Sequence, residues 1–249
     1  MNVLSLLALA LAPGAAIGIY IYLKDKHERE PLGLLMMSFF YGGLSAIVTL
    51  IISLSVNFLI ETKDAEVQAD FVNQFVEALF KVALIEEFSK FIFVRFILFY
   101  NRNFNEPFDG IVYAVMVSMG FATLENILYV FNSDSGLMTG ILRMFTAVPA
   151  HATFGILMGY FLGKAKFSQH KSMFFTLIAL ITATIFHGSY DYFLFVGKVE
   201  GAWAGIWIGA IVSLITAFVL SRAAIRLHQQ ASPFIEKGPD NSDLMTPNV

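Results

Sequence analysis

The chain has 249 residues, of which 57% are hydrophobic and 14% are charged, and its mean hydropathy is +0.69. Because an ordinary soluble domain carries about 25% charged residues, this composition argues against a soluble protein and predicts an all-α polytopic membrane protein. The net charge of -3 gives no reason to expect a nucleic-acid partner, and the lack of cysteine excludes disulfides, thiolate metal sites and cysteine nucleophiles.

Seven apolar segments follow one another along the chain, each about as long as a helix that crosses the hydrocarbon core of a bilayer. They cover approximately residues 3–23, 34–60, 71–99, 108–131, 137–163, 173–196 and 203–224. The separating segments are short, so we expect residues 1–228 to form one domain, a bundle of about seven transmembrane helices. Residues 229–249 hold several prolines and few apolar side chains, which predicts a disordered tail.

The positive charges between these segments are distributed unevenly. Eleven of the 16 lysines and arginines lie on one side of the predicted bundle, namely Lys24, Lys26, Arg29, Arg95, Arg102, Lys164, Lys166, Lys171, Arg222, Arg226 and Lys237. The opposite loops hold only Lys63 and Lys198. Since loops rich in lysine and arginine stay in the cytoplasm, we expect the N-terminus outside the cell and the C-terminal tail in the cytoplasm.

The third predicted span carries two adjacent carboxylates, Glu86 and Glu87, near its middle. A charged side chain near the bilayer centre costs roughly 2.5–3.5 kcal/mol on insertion scales, so such residues usually line a cavity, find partners or do chemistry. Lys90 lies about one helical turn from both, and the helix could therefore neutralise itself. One ammonium, however, matches only one carboxylate. The other is left to take a proton, bind a metal or activate water.

The fourth and fifth predicted spans contribute further ionisable groups. Glu125 lies in the fourth span, where its alternative to a site role is an ion pair with Arg143 of the fifth. His151 follows Pro149 in the fifth span. A proline frees a backbone carbonyl and kinks a helix, which opens space beside the histidine.

The sixth predicted span holds His187 and Asp191, spaced i, i+4 on one helical face. Both could bind a metal, or the aspartate could orient the imidazole to act as a general acid, act as a general base or stabilise an oxyanion. A lone buried histidine is more often a hydrogen-bonded core residue. A neighbouring aspartate and a second intramembrane histidine, His151, favour a site instead.

Three of these patterns together resemble the motifs of the PrsW intramembrane proteases. Glu86, Glu87 and Lys90 match EExxK, Phe121 to Glu125 match FxxxE, and His187 to Asp191 match HxxxD. The flanking residues 27–33 and 107–113 are also similar, and the resemblance covers roughly residues 24–195. Each motif alone is weak, but their order on successive spans makes the match specific.

This resemblance implies a peptidase embedded in the bacterial cytoplasmic membrane and related to the CAAX-processing proteases. Its expected partners are the lipid bilayer and a single-span membrane substrate, such as an anti-sigma factor that receives its first cut on the extracytoplasmic side during envelope stress. Glu86 and Glu87 would be the core carboxylates, with His151 and His187 as the histidines of the site. The CAAX-type enzymes carry EExxxR and FxxxH instead, so their catalytic roles do not transfer directly.

Two forms of the chemistry stay open at this point. With zinc, His151, His187 and one of Asp191, Glu125 or Glu87 would be ligands, and Glu86 or Glu87 would be the base. Without metal, one of these glutamates and a histidine would activate water directly, while His187 polarises the carbonyl. We therefore assign Glu86, Glu87, Lys90, Glu125 and His187 to catalysis, and His151, His187 and Asp191 to zinc.

The main alternative from another class is a proton- or cation-coupled transporter. Intramembrane glutamate, aspartate, histidine and lysine are also what a proton relay needs. Many transporters, however, consist of inverted repeats, and seven spans without a convincing repeat fit that plan poorly. The sequence does not predict an oligomeric state.

Overall fold

The computed structural model describes residues 2–61, 70–197, 199 and 203–235. Within these ranges it contains nine α-helices: α1 (Val3–Lys24), α2 (Leu32–Glu61), α3 (Phe71–Val76), α4 (Leu84–Phe96), α5 (Pro107–Asn132), α6 (Gly136–Phe145), α7 (Ala147–Phe167), α8 (Ser172–Val196) and α9 (Trp207–Gln230). A π-helical segment, Glu77–Ala83, joins α3 to α4, and short 3-10 turns cover Leu98–Tyr100 and Ala204–Ile206. The all-α prediction is confirmed. Residues 236–249 of the predicted tail lie outside the described ranges.

Six helical stretches of the described chain are long and apolar enough to cross a membrane: α1, α2, α5, α8, α9, and α6 together with α7. They match six of the seven predicted spans. The remaining one, predicted over residues 71–99, is divided into α3, the π-helical segment and α4. It holds more charged side chains than any other predicted span, including Glu77 and Lys81.

The fifth predicted span is also interrupted, at Thr146 between α6 and α7. Thr146 leaves the helical conformation, with φ of -122° and ψ of -78°. Pro149 lies in the first turn of α7, where it donates no hydrogen bond and its ring would crowd the Phe145 carbonyl in a continuous helix. The predicted proline distortion is therefore present as a break just before His151.

The central helix of the bundle is α5, which contacts α1, α2, α4, α6, α7 and α9. Its most extensive packing is against α7. A Cβ atom added at Gly159 would overlap the Gly110 carbonyl oxygen and lie 2.6 Å from the Ile111 Cα. Small residues at this crossing let the two backbones touch, as is common between transmembrane helices. The packing fixes Glu125 on α5 relative to His151 on α7.

One end of the bundle collects the lysine-rich connections, and we call it the cation-rich end. There the Lys166 ammonium donates to the Phe99 carbonyl, and the Gln229 side chain donates to the Lys24 carbonyl. These contacts bring the ends of α1, α4, α7 and α9 together. The sidedness of this end stays a prediction, and Lys63, Lys198 and Lys237 of that argument lie outside the described residues.

Candidate active site

Four helices bring the predicted site residues into one buried cluster. The glutamate–histidine cluster consists of Glu86, Glu87 and Lys90 on α4, Glu125 on α5, His151 on α7, and His187 and Asp191 on α8. Glu87 and Lys90 are fully buried, and Glu86 is 9% exposed. Residues from four predicted spans thus meet, as a site inside the membrane requires.

Lys90 joins the two glutamates to a histidine. Its Nζ atom lies 2.8 Å from Glu87 Oε1, 3.1 Å from His151 Nδ1 and 3.5 Å from Glu86 Oε2. The ammonium also lies 3.9 Å from the centre of the Phe121 ring. Lys90 therefore compensates Glu87 first, and Glu86 is the carboxylate in excess.

The contacts of His151 define its protonation pattern. An ammonium can only donate, so Nδ1 accepts from Lys90 and the ring proton lies on Nε2. His151 Nε2 is 2.9 Å from Glu125 Oε2, to which it donates. Arg143 donates to the same oxygen at 2.6 Å. The structural alternative for Glu125, a pair with Arg143, is thus present together with its contact to the cluster.

His187 contacts acidic groups on α4 and on its own helix, α8. Its Nδ1 atom is 2.9 Å from Glu87 Oε1, while Nε2 is 3.2 Å from Asp191 Oδ2 and 4.0 Å from Glu86 Oε2. The protonated ring donates to both Glu87 and Asp191. When the ring is neutral and Nδ1–H donates to Glu87, Nε2 presents a lone pair, which is the orientation that metal-binding histidines adopt.

A cavity of about 450 Å³ opens beside the cluster. Of the site residues, it is lined by Glu86, Glu125, His151, His187 and Asp191. Glu87 and Lys90 lie behind this wall. Glu86 is therefore better placed than Glu87 to meet a substrate or a water molecule.

The donor set fits a metal ion of the zinc type. One donor atom from each of Glu86, His151 and His187 lies within 4.8 Å of the other two, and Glu86 Oε2 is buried without a hydrogen bond. Imidazole and carboxylate ligands are typical of catalytic zinc. His151 must give up its bond to Lys90 or to Glu125 before it can join such a site.

Close packing brings α8 against the segment that precedes Glu86. A Cβ atom at Gly188, the residue after His187, would lie 2.6 Å from Leu79 Cδ1 and 3.0 Å from Leu79 Cα. Leu79 belongs to the π-helical segment, where the Leu84 N–H donates to the Leu79 carbonyl five residues back. π-Helical turns are often found at functional sites. Gly188 thus allows α8 to approach α4 closely enough for His187 to reach Glu87.

The sequence reasoning did not assign Phe154 to the site. Its ring stacks on His187 with centroids 4.9 Å apart and also makes an edge contact with His151. The available signal was its spacing, because Phe154 follows His151 by three residues on the same face of α7.

Comparisons with known proteins agree with these observations. The model of the family described as PrsW family intramembrane metalloprotease matches residues 30–221. Protease PrsW of Geobacillus kaustophilus (strain HTA426) is 36% identical over 209 residues, which cover 83% of this chain and 87% of that protein. Protease PrsW of Bacillus subtilis (strain 168) is 35% identical over 191 residues, covering 76% and 83%. Protease PrsW of Clostridioides difficile (strain 630) is 33% identical over 218 residues, covering 85% and 87%. No solved structure matches.

Proposed function

Because the chain belongs to the PrsW family of intramembrane metalloproteases, we propose that it uses Glu86 to activate water for cleavage of a single-span membrane protein such as an anti-sigma factor. Family membership makes the chain a hydrolase, an intramembrane endopeptidase in the bacterial cell membrane. The transporter alternative has no comparable support. The proposal concerns the identity of the base, the metal, the substrate and the supporting residues.

The observation that carries the proposal is the position of Glu86. It lines the cavity, lies beside both histidines and is the carboxylate that Lys90 compensates least. Glu86 accepts a proton from water as the water oxygen attacks the peptide carbonyl carbon. It then returns this proton to the amide nitrogen as the carbon–nitrogen bond breaks.

If Glu86 is the base, the third ligand beside His151 and His187 would be Asp191, whose Oδ2 lies 3.2 Å from His187 Nε2. A zinc ion held there would activate the attacking water and polarise the peptide carbonyl. Glu87 accepts from His187 Nδ1 and so directs His187 Nε2 towards the cavity. Lys90 neutralises Glu87 and holds the ring of His151 through Nδ1. Glu87 and Lys90 are therefore positioning residues in this mechanism.

The depth of the cavity supports a cut near one membrane surface. Glu125 lies 18 residues after Pro107 on α5, or about 27 Å from the cation-rich end at roughly 1.5 Å per residue. If the cation-rich end is cytoplasmic, the site lies in the outer half of the bilayer. That depth suits an anti-sigma factor cut on its extracytoplasmic side.

Co-expression with a tagged single-span anti-sigma factor from the same cells tests the proposal. Glu86→Gln should lower the cleavage rate about 10²–10⁴-fold, the usual contribution of a general base, and His187→Ala should abolish cleavage. Glu77→Gln is the matched control, because Glu77 lies on the same helical stretch but pairs with Lys81 in a partly exposed position. Retained cleavage in both Glu86→Gln and His187→Ala would contradict the proposal.

Metal analysis of the same variants separates the two roles open to Glu86. If Glu86 is the base, the Glu86→Gln protein keeps its zinc and loses its activity. If Glu86 is instead the third ligand, zinc and activity are lost together. Active wild-type protein without metal would exclude the zinc form and leave direct activation of water by Glu86.

A further inference from the structure

A second group of buried carboxylates lies at the cation-rich end. This acidic group consists of Asp25, Glu30, Glu106 and Asp109, each at most 3% exposed. Asp109 precedes Glu125 by 16 residues on α5, so the two clusters are roughly 24 Å apart at about 1.5 Å per residue. The acidic group is therefore separate from the active site.

Three parts of the chain deliver these side chains. Asp25 directly follows α1, and Glu30 lies shortly before α2. Glu106 is the residue before α5, and Asp109 lies in the first turn of that helix. Asp109 Oδ2 accepts the Asn105 and Glu106 N–H groups at 2.8 and 2.7 Å, which accounts for one of its oxygens as a helix cap.

The Glu106 carboxylate in turn faces the Asp109 N–H as the second half of this capping box. Both oxygens of Asp25, Glu30 and Glu106, and Oδ1 of Asp109, are buried without a hydrogen bond of normal geometry to a described residue. Among the salt bridges of the described chain, none involves these four residues. Buried charges without partners are strongly unfavourable, so this group needs a compensating ligand or protons.

Tyr113 provides an independent observation. It lies one turn after Asp109 on α5, is fully buried, and its hydroxyl faces Glu30 and Asp109. This hydroxyl is likewise buried without a hydrogen bond of normal geometry in the described chain. A neutral oxygen thus joins the charged ones around the same space.

Burial and mutual repulsion disfavour the charged forms of these carboxylates. Burial, with added repulsion from neighbouring carboxylates, raises the pKa of Asp25 and of Glu30 to about 7, and burial also raises the pKa of Glu106.

We propose that Asp25, Glu106 and Asp109 bind one divalent cation of the oxygen-preferring kind, Ca²⁺ or Mg²⁺, with Glu30 and Tyr113 beside it. One oxygen from each of the three lies within 4.8 Å of the other two. Ca²⁺ holds oxygen ligands at about 2.3–2.6 Å, so one ion can contact all three. A set made only of oxygen donors favours these ions over zinc. The ion joins the end of α1 to the start of α5.

Binding to the purified full-length protein tests this site. After treatment with a chelator, the protein in detergent is titrated with Mn²⁺, followed by electron paramagnetic resonance, and with Ca²⁺ or Mg²⁺, followed by thermal unfolding. We expect a Mn²⁺ site that Ca²⁺ or Mg²⁺ displaces, and a rise in the unfolding temperature. His187→Ala should keep this response, which separates the site from the catalytic metal and from the proposed function.

Matched variants assign the ligands. Glu106→Gln and Asp25→Asn should each weaken Mn²⁺ binding roughly tenfold or more, because affinity depends on the number of charged ligands. Glu28→Gln, in the same connection but outside the three-residue set, should bind as the wild type does. Absence of divalent binding in the wild type, or equal affinity in Glu106→Gln and Asp25→Asn, would overturn the proposal.

Discussion

The glutamate–histidine cluster and the acidic group are both buried in one bundle and share α5, yet their charges are balanced differently. In the first, Lys90 and Arg143 lie among the carboxylates, and Glu87 and Glu125 each have a cationic partner within 3 Å. In the second, no described lysine or arginine forms a salt bridge with the four carboxylates. The glutamate–histidine cluster is thus compensated by cations of the chain, whereas the acidic group has no such cation among the described residues.

This difference explains how one carboxylate stays available for chemistry. Lys90 and Arg143 lie within 3 Å of Glu87 and Glu125, whereas Glu86 is 3.5 Å from Lys90 and is the least compensated of the three glutamates. In the acidic group, seven oxygens are unpaired, so none is distinguished from the others. Variants in both clusters test this difference in charge compensation.

The largest expected effect comes from removing the internal compensation. Lys90→Met should destabilise the protein by about 3–5 kcal/mol, because Glu87 becomes an uncompensated buried charge. The double variant Lys90→Met, Glu87→Gln should recover much of this loss. Unfolding in detergent measures both. If the single and double variants are equally destabilised, Lys90 does not act by compensating Glu87.

A smaller effect is expected from Glu87→Gln alone. The amide oxygen can still accept from His187 Nδ1 but no longer holds the ring as firmly, so kcat or metal affinity should fall about 10–100-fold. Cleavage of the anti-sigma factor and zinc content measure this change. Glu86→Gln, assayed alongside, should be slower still. A Glu87→Gln variant as inactive as Glu86→Gln would identify Glu87 as the base instead.

In the acidic group, the effect of Glu106→Gln on stability should change sign when a divalent cation is added. Without divalent ions, the substitution removes an unpaired carboxylate and should leave stability unchanged or raise it, by up to about 1–3 kcal/mol. With saturating Ca²⁺ or Mg²⁺, the wild type should be the more stable protein. Thermal unfolding in chelator and in each ion shows whether the order changes. The same order in all conditions would mean that protons alone balance this group.

The smallest effect on stability is expected for the partly exposed ion pair of the π-helical segment, Glu77 and Lys81. These side chains are 44% and 30% exposed and lie 2.8 Å apart. Glu77→Gln should cost about 0.3–0.5 kcal/mol, as for other i, i+4 pairs, and leave the cleavage rate unchanged. Unfolding and cleavage assays on one preparation test both statements. A large loss of cleavage would place Glu77 in the site after all.

The clustering of these residues could be predicted because each is an ionisable group in an apolar span, and such residues stand out against their surroundings. Their roles stay a prediction. Their division of labour could not be predicted in the same way. The sequence alone does not distinguish Glu86 from Glu87. Only the fold shows that Glu86 lines the cavity while Glu87 lies behind it. The two contacts of His151 likewise depend on how α7 rotates against α4 and α5.

The acidic group was not predicted from the sequence, for a related reason. Asp25 and Glu30 lie in a connection where charged residues are ordinary, and Glu106 follows about 80 residues later. Nothing in their spacing indicates that the ends of α1 and α5 meet. Similarly, the six apolar spans could be predicted from hydropathy, whereas nothing in the sequence indicates the π-helical segment, where Leu79 packs against Gly188.

That π-helical segment separates two halves of the third span that can vary independently. A π-turn accommodates an additional residue between two α-helical pieces, so deleting one residue within Glu77–Ala83 should restore ordinary α-helix and leave α3 facing nearly the same direction relative to α4. Glu86 and Glu87 would keep the face that they now present to α8. The segment thus absorbs a change of one residue in the length of the third span, while α3 keeps its direction and the two glutamates keep their position.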